Sequence, residues 1–289
     1  MRGRRMLELS VDPSVRLLAI DIDGTLLDST FQIPEVNLKS LRRAHEQGVQ
    51  ICLVTGRRHA FALPVAELLG FEICLITSNG AITRTSAGTL FHRDLLPQAS
   101  ARKLLAHMAT YRRDAVITFD KNVKGALVVE DKAYLCRTIA RWVQSNSAYI
   151  DEILPMEASL TEDAVQVMYC GTVARMSGAE VLLRDAALAG DVTVSKTQYE
   201  QRDLCILDVL QHSCSKGAAL ERWAGHLQIP REQIMAIGDN YNDIEMLEFA
   251  GYPVIMGNAS SDLKRNGWRV TGDNDSGGVS AAVEQVIEA

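Results

Sequence analysis

The sequence predicts an α/β protein with a Rossmann-like parallel-sheet core and an inserted α+β cap domain. Short apolar runs alternate with amphipathic segments from residue 17 to residue 77, and the same alternation returns after residue 215. Between them the apolar segments are short and alternate with polar residues, which is typical of half-buried antiparallel strands. The length of 289 residues allows two domains. We therefore expect a core formed by residues 1–82 and 213–289 and a cap formed by residues 83–212.

The first part of the core is predicted to alternate buried strands with helices. The predicted strands are residues 17–20, 49–54 and 73–77, and the predicted helices are residues 34–47 and 60–69. Strands joined through helices at this spacing form parallel sheets with right-handed crossovers. In such sheets ligands bind beyond the carboxyl ends of the strands. The polar segments 21–25, 55–57 and 78–80 all follow the ends of predicted strands, so this edge is the expected site.

The middle of the chain and its end are predicted from the same periodicities. The cap is expected to hold helices near residues 97–111, 131–144 and 173–189, with strands such as residues 125–129 and 165–169 between them. The core then resumes with helices at 215–227 and 243–250, strands at 233–237 and 252–256, a short helix at 260–266 and a final helix at 279–287.

The composition limits the classes of partner. There are 30 Lys and Arg against 36 Asp and Glu, a net charge of −6, which gives no reason to expect nucleic acid as a partner. No apolar run reaches the roughly 20 residues of a membrane span, and no apolar core follows the basic residues 1–5 as in a secretory signal. The six cysteines form no C-x-x-C pair, and several lie in apolar runs, which predicts reduced thiols and a cytoplasmic protein. The sequence does not indicate an oligomeric state.

Asp21 and Asp23 are the first candidates for chemistry. Two carboxylates at positions i and i+2, where a buried strand becomes a loop, can point into one crevice, and Gly24 allows a sharp turn. One carboxylate can accept a phosphoryl group, and a second group can protonate the leaving alcohol and then activate water. A hard cation such as Mg²⁺ would offset the repulsion between these carboxylates and a phosphate. A turn with capping aspartates and a calcium loop are the alternatives.

A second polar cluster follows the predicted strand 233–237. Asp239 is placed to hold a metal, and Asn242 and Asp243 lie at the start of a helix, where anions are stabilised. Asp and Asn are also favoured at turns and helix N-caps, so a purely structural role is equally compatible with this segment.

Two weaker candidates complete the set. Thr55 and Gly56 offer a hydroxyl and an accessible backbone N–H for phosphate oxygens, although a plain turn explains them as well. Lys216 begins a helix, where the helix dipole disfavours a cation. A lysine there is better placed if it faces a bound phosphate, and a solvated lysine is the alternative.

Taken together, these segments resemble the phosphatases of the haloacid dehalogenase superfamily. The resemblance extends from residue 17 to the end and is closest to the Cof-type sugar-phosphate phosphatases, which carry a large cap. The segments that carry it are residues 21–27, 55–57, 78–81, 215–220, 238–243 and 256–259. It implies a Mg²⁺-dependent phosphatase of small phosphorylated metabolites that works through an aspartyl phosphate.

The resemblance also implies a role for each candidate. Asp21 would be the nucleophile and a metal ligand, and Asp23 would be the general acid/base and lend its backbone carbonyl to the metal. Asp239 would bind Mg²⁺, with Asp243 supporting the metal site. The phosphoryl group would be bound by Thr55, Gly56, Lys216 and Asn242.

Two other functions are compatible with the same residues. A phosphomutase or phosphotransferase would use the same nucleophile but exclude water. A non-catalytic metabolite-binding regulator could retain the fold, but such a protein would usually have lost Asp21, Asp23, Lys216 or Asp239, and all four are present.

Overall fold

The computed structural model describes residues 15–287, so the basic residues 1–5 and their predicted lack of a secretory signal lie outside the described part of the chain. In chain order the elements are β1 Leu17–Ile20, α1 Glu35–Glu46, β2 Gln50–Val54, α2 His59–Glu67, β3 Cys74–Thr77, β4 Ile82–Thr85, β5 Leu90–Arg93, α3 Gln98–His107, β6 Ala115–Thr118, β7 Leu127–Val129, α4 Lys132–Ser145, β8 Ile150–Glu152, β9 Gln166–Gly171, α5 Val173–Leu183, β10 Val192–Tyr199, β11 Leu204–Gln211, α6 Lys216–Leu227, β12 Ile234–Gly238, α7 Ile244–Phe249, β13 Tyr252–Ile255, β14 Arg269–Val270 and α8 Gly278–Ile287.

The first sheet has the order β14-β13-β12-β1-β2-β3-β4-β5. All neighbours from β14 to β3 are parallel, and β1 pairs with β12 on one side and β2 on the other. β1 and β3 are completely buried, as their continuous apolar sequences predict. The predicted parallel α/β core is confirmed.

Two strands of the first sheet were not predicted. β4 and β5 extend it beyond β3 in the antiparallel sense. β5 forms the edge of the sheet and is mostly exposed, so it lacks the apolar run that identified the central strands. The pairing shows that residues 82–93 extend the first sheet.

The second sheet has the order β10-β11-β9-β6-β7-β8. Its pairs are antiparallel except for β7 with β8. The α3 and α5 residues Leu104, Leu105 and Met176 pack with Val167 and Leu207 of this sheet in a cluster of its own. The predicted α+β character of the middle segment is therefore confirmed, and the assignment of residues 83–212 to a separate cap domain remains a prediction.

Two predicted helices differ in extent. α5 ends at Leu183, and the segment that follows it is turns, with several exposed residues. The short helix expected at residues 260–266 is a single 3₁₀ turn at Leu263–Asn266. Helical periodicity alone overestimated both lengths because a few well-spaced apolar residues also fit a turn.

The structure also bears on the predictions that the cysteines are reduced and that no segment spans a membrane. In residues 15–287 every cysteine is unpaired, and five of the six are buried while Cys136 is exposed. None of the helices described there combines the length and the apolar character needed to cross a bilayer.

The two sheets meet through polar contacts near the carboxyl ends of β1, β2 and β3. Asn79, just after β3, donates to Asp208 of β11. The Arg58 guanidinium donates to the backbone oxygen of Lys121, and Arg84 forms an ion pair with Asp120. These contacts hold the segment that contains the second sheet over the edge where the polar loops lie.

Candidate active site

The candidate residues lie after adjacent parallel strands. Asp21 follows β1, Thr55 follows β2, and Asp239 follows β12. Because β12, β1 and β2 are parallel neighbours, their carboxyl ends lie along one edge of the sheet. Lys216 reaches the same place as the first residue of α6, whose N-cap Ser215 accepts a hydrogen bond from the Ala218 amide.

Lys216 joins two carboxylates in the buried centre of the site. Its Nζ lies 2.6 Å from Asp21 Oδ1 and 2.6 Å from Asp243 Oδ1. The Lys216 side chain has no exposed surface, and Asp21 and Asp243 are also buried. The expectation that Lys216 is not an ordinary solvated lysine is therefore consistent with its position.

The carboxylates of Asp21, Asp239 and Asp243 form a compact acidic group. Each of the three can bring one oxygen within 4.8 Å of the others, and all three residues are buried. The second oxygen of Asp243 accepts the backbone N–H groups of Asp239 and Asn240 at 2.9 and 3.0 Å. Asp243 thus has both oxygens engaged by protein groups and fixes the turn that carries Asp239.

Asp21 and Asp239 each retain an oxygen that is not committed in this way. Oδ1 of Asp21 accepts from Lys216, and Oδ1 of Asp239 accepts from the Thr25 hydroxyl at 3.0 Å. Within residues 15–287 neither Oδ2 atom has a hydrogen-bond partner. Carboxylate oxygens are the ligands that Mg²⁺ prefers, so this pair of carboxylates fits a hard divalent cation.

Burial and mutual repulsion shift the titration of this cluster. Burial raises the pKa of Asp21 from its ordinary value of 3.8 to about 7, against the lowering effect of Lys216 and with further raising by Asp243 and Asp23. Burial also raises the pKa of Asp239, with Asp21 and Asp243 adding to the shift. For Lys216, burial opposes the charged form, but the two carboxylates outweigh it and raise its pKa.

Gly24 lets the loop after β1 pass directly against Asp239. Its φ of +82° is a backbone conformation that L side chains rarely adopt, and a Cβ there would lie 2.4 Å from Asp239 Oδ2. The glycine expected to allow a sharp turn is therefore also required by the close approach of two site residues.

Arg57 holds the second aspartate of the loop. Its Nε and Nη2 atoms lie 2.7 and 2.6 Å from the two oxygens of Asp23. Asp23 is partly exposed, unlike Asp21. The Arg57 side chain is only 24% exposed and forms an ion pair with a site residue.

Thr55, Gly56 and Asn242 come together around Asn79. The Asn79 amide donates its backbone N–H to the Thr55 carbonyl at 3.0 Å, and Asn242 Nδ2 donates to Asn79 Oδ1 at 3.0 Å. A Cβ at Gly56 would lie 3.2 Å from Asn79 Oδ1. Thr55 Oγ1 accepts the Arg57 amide. The predicted phosphate-binding residues are thus neighbours, and Asn79, to which the sequence assigned no role, lies between them.

A cavity of about 690 Å³ separates this edge from the end of β10. Asp23, Gly24 and Asp239 line it from the end of the first sheet, and Tyr199 at the end of β10 and Arg202 just after it line the opposite side. Burial raises the pKa of Tyr199, and the nearby carboxylates of Asp23 and Asp239 add to this shift. The periodicity of the sequence alone could not predict that Tyr199 and Arg202 face this cavity.

The geometry brings together all eight residues that the sequence singled out, although the role of each remains a prediction. Arg57, Asn79 and Thr25 are contacts that sequence reasoning missed as functional. The signal for them was available, because each lies in a polar segment that follows or precedes a candidate residue. Asp208 carried no such signal, since it lies within a strand far along the chain.

Comparison with known proteins gives a consistent family. Residues 18–283 match the model of a family described as haloacid dehalogenase-like hydrolases. Phosphatase YwpJ of Bacillus subtilis is 29% identical over 94% of this chain and 100% of its own length. The pyridoxal phosphate phosphatase YbhA of Escherichia coli is 29% identical over 90% and 94%. An HMP-PP phosphatase of Cronobacter sakazakii is 31% identical over 86% of each chain.

The fold is similar to solved structures as well. A haloacid dehalogenase-like hydrolase from Bacillus subtilis superposes with a TM-score of 0.77 and 26% identity, covering 93% of this chain and 99% of the other. The likeness spans both sheets rather than the first sheet alone.

Proposed function

The chain belongs to the haloacid dehalogenase-like hydrolase family and is a phosphoric monoester hydrolase, and from that premise we propose that Asp21 removes phosphoryl groups from small phosphorylated metabolites as an aspartyl phosphate. The observation that supports this most directly is the state of the Asp21 carboxylate. Lys216 holds one of its oxygens at 2.6 Å, and the other has no hydrogen-bond partner in the described part of the chain.

The first step is attack by the Asp21 Oδ2 atom on phosphorus. The new O–P bond forms as the bond from phosphorus to the leaving oxygen breaks, and water then cleaves the acyl phosphate and regenerates the carboxylate. Lys216 contributes positive charge beside the nucleophile, which reduces the repulsion between a carboxylate and a phosphate dianion.

Proton transfer is assigned to Asp23. It lines the cavity beside Gly24, where a leaving group would lie, and Arg57 orients its carboxylate with two hydrogen bonds. In the first step Asp23 donates a proton to the leaving oxygen, and in the second it accepts one from the attacking water. Either transfer requires an Asp23 oxygen to face the substrate while Arg57 retains the other.

Phosphoryl binding is assigned to four donors. The Thr55 hydroxyl, the Gly56 N–H, the Lys216 ammonium and the Asn242 amide lie at adjoining strand ends and can each donate to a phosphoryl oxygen. Asn79 contacts Thr55, Gly56 and Asn242, so these donors are held in place before any substrate is bound.

The donor set fits Mg²⁺, although no ion is part of the structure. Asp239 would hold it through its unbonded oxygen and Asp21 through the carboxylate oxygen that does not attack phosphorus, with the backbone carbonyl of Asp23 as a further ligand and Asp243 as support. When bound, the cation would neutralise the phosphate and the acidic group.

The substrate class is proposed from the cavity and the relatives. The relatives are named as phosphatases of pyridoxal phosphate and of HMP-PP, and a cavity of about 690 Å³ suits a small metabolite. We assign substrate selection to the segment that carries Tyr199 and Arg202, as part of a cap domain. We also expect a cytoplasmic location and no nucleic-acid partner.

The test is turnover of p-nitrophenyl phosphate with Mg²⁺ by wild type and Asp21→Asn. We expect the substitution to lower kcat by at least about 10⁴-fold, as removal of a nucleophile typically does. Asp23→Asn should lower it by roughly 10²–10⁴-fold. Full turnover by the Asp21→Asn protein at wild-type thermal stability would rule out the mechanism. A parallel screen of phosphorylated sugars, nucleotides and cofactor precursors should release free phosphate, whereas isomerisation without release would indicate a mutase.

A further inference from the structure

Asp208 is a buried carboxylate whose hydrogen-bond partners are neutral. It lies in the middle of β11 and is 5% exposed. Its Oδ2 accepts from Asn79 Nδ2 at 2.8 Å, and its Oδ1 accepts from Gln166 Nε2 at 2.7 Å. Burial raises its pKa from 3.8 to about 7, against lowering effects of the Asn79 hydrogen bond and of Lys216. A charge that is costly to bury and forms no direct ion pair within the described residues 15–287 calls for a reason beyond packing.

An ionised carboxylate dictates the orientation of an amide that touches it. It can only accept hydrogen bonds, so Asn79 must present its NH₂ group to Asp208 and therefore its oxygen in the opposite direction. That oxygen accepts from Asn242 Nδ2 at 3.0 Å. With one hydrogen of its NH₂ group on Asn79, Asn242 keeps the other for a different acceptor. A residue at position 208 without an acceptor would leave the Asn79 amide free to adopt either orientation.

Asn79 is placed to pass this orientation on. It is fully buried, and its φ of 53° holds it in the left-handed region, where Asn is among the residues that tolerate it. Its backbone N–H donates to the Thr55 carbonyl, and its side chain packs on Gly56. Three of the residues to which phosphoryl binding is assigned therefore surround a side chain whose orientation a cap strand decides.

We propose that Asp208 is a positioning residue for phosphoryl transfer, which acts through Asn79 to orient the Asn242 amide and to hold the segment at Thr55 and Gly56. The proposal rests on the proposed function of these residues. It makes the second sheet a part of the phosphoryl-binding arrangement and not only a cover for the cavity. Gln166 completes the chain of contacts from β9, and among the residues that the structure describes its Oε1 has no hydrogen-bond partner.

Asp208→Ala and Asp208→Asn separate orientation from packing. Alanine leaves Asn79 without an acceptor, so we expect kcat/KM for p-nitrophenyl phosphate to fall by about 10- to 100-fold, the loss that follows removal of a hydrogen bond to a charged group. Inhibition by orthovanadate, a phosphoryl transition-state analogue, should weaken by a similar factor. Asparagine can still accept from Asn79 if Gln166 turns its amide and accepts from the new NH₂ group, so most of the activity should return.

The matched control is Asp114→Ala, which removes a buried carboxylate that directly precedes β6 of the same sheet and is paired with Arg175. It should lower the melting temperature without changing the vanadate inhibition constant of the folded protein. If Asp208→Ala does not fold, Asn79→Gly, which keeps the positive φ without steric cost, should give the same loss.

Two outcomes would overturn the proposal. One is a folded Asp208→Ala protein with wild-type kcat/KM and vanadate inhibition. The other is equal loss in Asp208→Ala and Asp208→Asn, which would indicate that charge and not amide orientation matters. Failure of the proposed function would show separately, because Asp21→Asn would then remain active whatever the substitutions at Asp208 do.

Discussion

Asp114 of the segment before β6 and Asp21 after β1 are both buried carboxylates, but their charges are balanced differently. Asp114 is 1% exposed and accepts from Arg175 Nε at 2.9 Å on both oxygens, so one carboxylate faces one guanidinium. At the other site the carboxylates of Asp21, Asp239 and Asp243 lie together, and the ammonium of Lys216 pairs with Asp21 and Asp243. A balanced pair stabilises a fold, whereas an excess of buried acid is a feature that stability alone does not favour.

The two regions also differ in which carboxylate oxygens lack a hydrogen-bond partner. Every oxygen of Asp114 is engaged by Arg175, whereas Asp21 and Asp239 each keep an oxygen that has no partner in residues 15–287. The comparison indicates that unbonded acceptors in an acidic group, rather than buried charge as such, distinguish a reactive edge from a structural ion pair.

The largest expected effect is that of removing Mg²⁺, which should affect the acidic group at Asp21 and not the ion pair of Asp114 with Arg175. We expect EDTA to reduce phosphatase activity to background and Mg²⁺ to restore it. Mg²⁺ at about 100 times its Kd should add about 2.7 kcal/mol to the free energy of unfolding, because it binds only the folded acidic group. The measurement is the melting temperature with EDTA and with Mg²⁺, which should differ by several degrees.

Two substitutions sharpen that measurement. Asp239→Asn should remove most of the Mg²⁺-dependent rise in melting temperature, and Asp114→Asn should lower the melting temperature but keep the rise. A full rise in the Asp239→Asn protein would contradict the assignment of Asp239 as a ligand.

The dependence of stability on pH should be the next largest effect. The pKa of Asp21 is raised from 3.8 to about 7, so the folded protein binds this proton more tightly than the unfolded chain does. Without metal, the contribution of Asp21 to the free energy of unfolding should therefore be highest below about pH 4, fall as the pH rises to about 7, and level off above that. Asp208 should add a fall over the same window, because its pKa is also raised to about 7.

Urea unfolding in EDTA between pH 4.5 and 8 measures this fall. It should be smaller in Asp21→Asn, which cannot ionise, and also smaller with Mg²⁺, which stabilises the ionised carboxylates. An unchanged slope in Asp21→Asn would exclude Asp21 as a source of the pH dependence.

The smallest expected effect is at Arg57, which orients Asp23 and keeps its positive charge throughout the working pH range. Arg57→Ala should lower kcat/KM by about tenfold for an alkyl phosphate, whose leaving group needs a proton, and by less for p-nitrophenyl phosphate. Steady-state kinetics with both substrates measures the ratio. Equal losses on the two substrates would argue that Arg57 contributes binding and not the orientation of a proton donor.

The sequence predicted the central strands and the residues at their ends because both have local signatures. β1 was predicted with its observed bounds, since a continuous apolar run ending in Asp21 identifies a strand buried on both faces. The antiparallel strand β4 and the edge strand β5 have no such signature, because neither is a continuous apolar run and β5 is mostly exposed.

Pairings between distant side chains could not be predicted in the same way. The contact of Asn79 with Asp208 spans 129 positions, and that of Arg57 with Asp23 depends on rotamers at a turn. Composition and period place a residue on a face, but they do not specify which polar atom it meets there. The resemblance supplied roles for the residues within motifs and was silent on Asp208, which lies outside them.

The close approach of Gly80 to Ser215 has a consequence for how such a protein can vary. A Cβ at Gly80 would lie 2.2 Å from the Ser215 carbonyl, and the Asp94 amide donates to the carbonyl of neighbouring Ala81. The chain therefore leaves the first sheet at Asp94 and returns to the core at Ser215, and these two residues lie on either side of Gly80 and Ala81. Closing a loop between ends that already lie side by side costs chain entropy that rises only slowly with length. The intervening segment can accordingly be exchanged, shortened or enlarged as a module, provided that it keeps an acceptor for Asn79 such as Asp208.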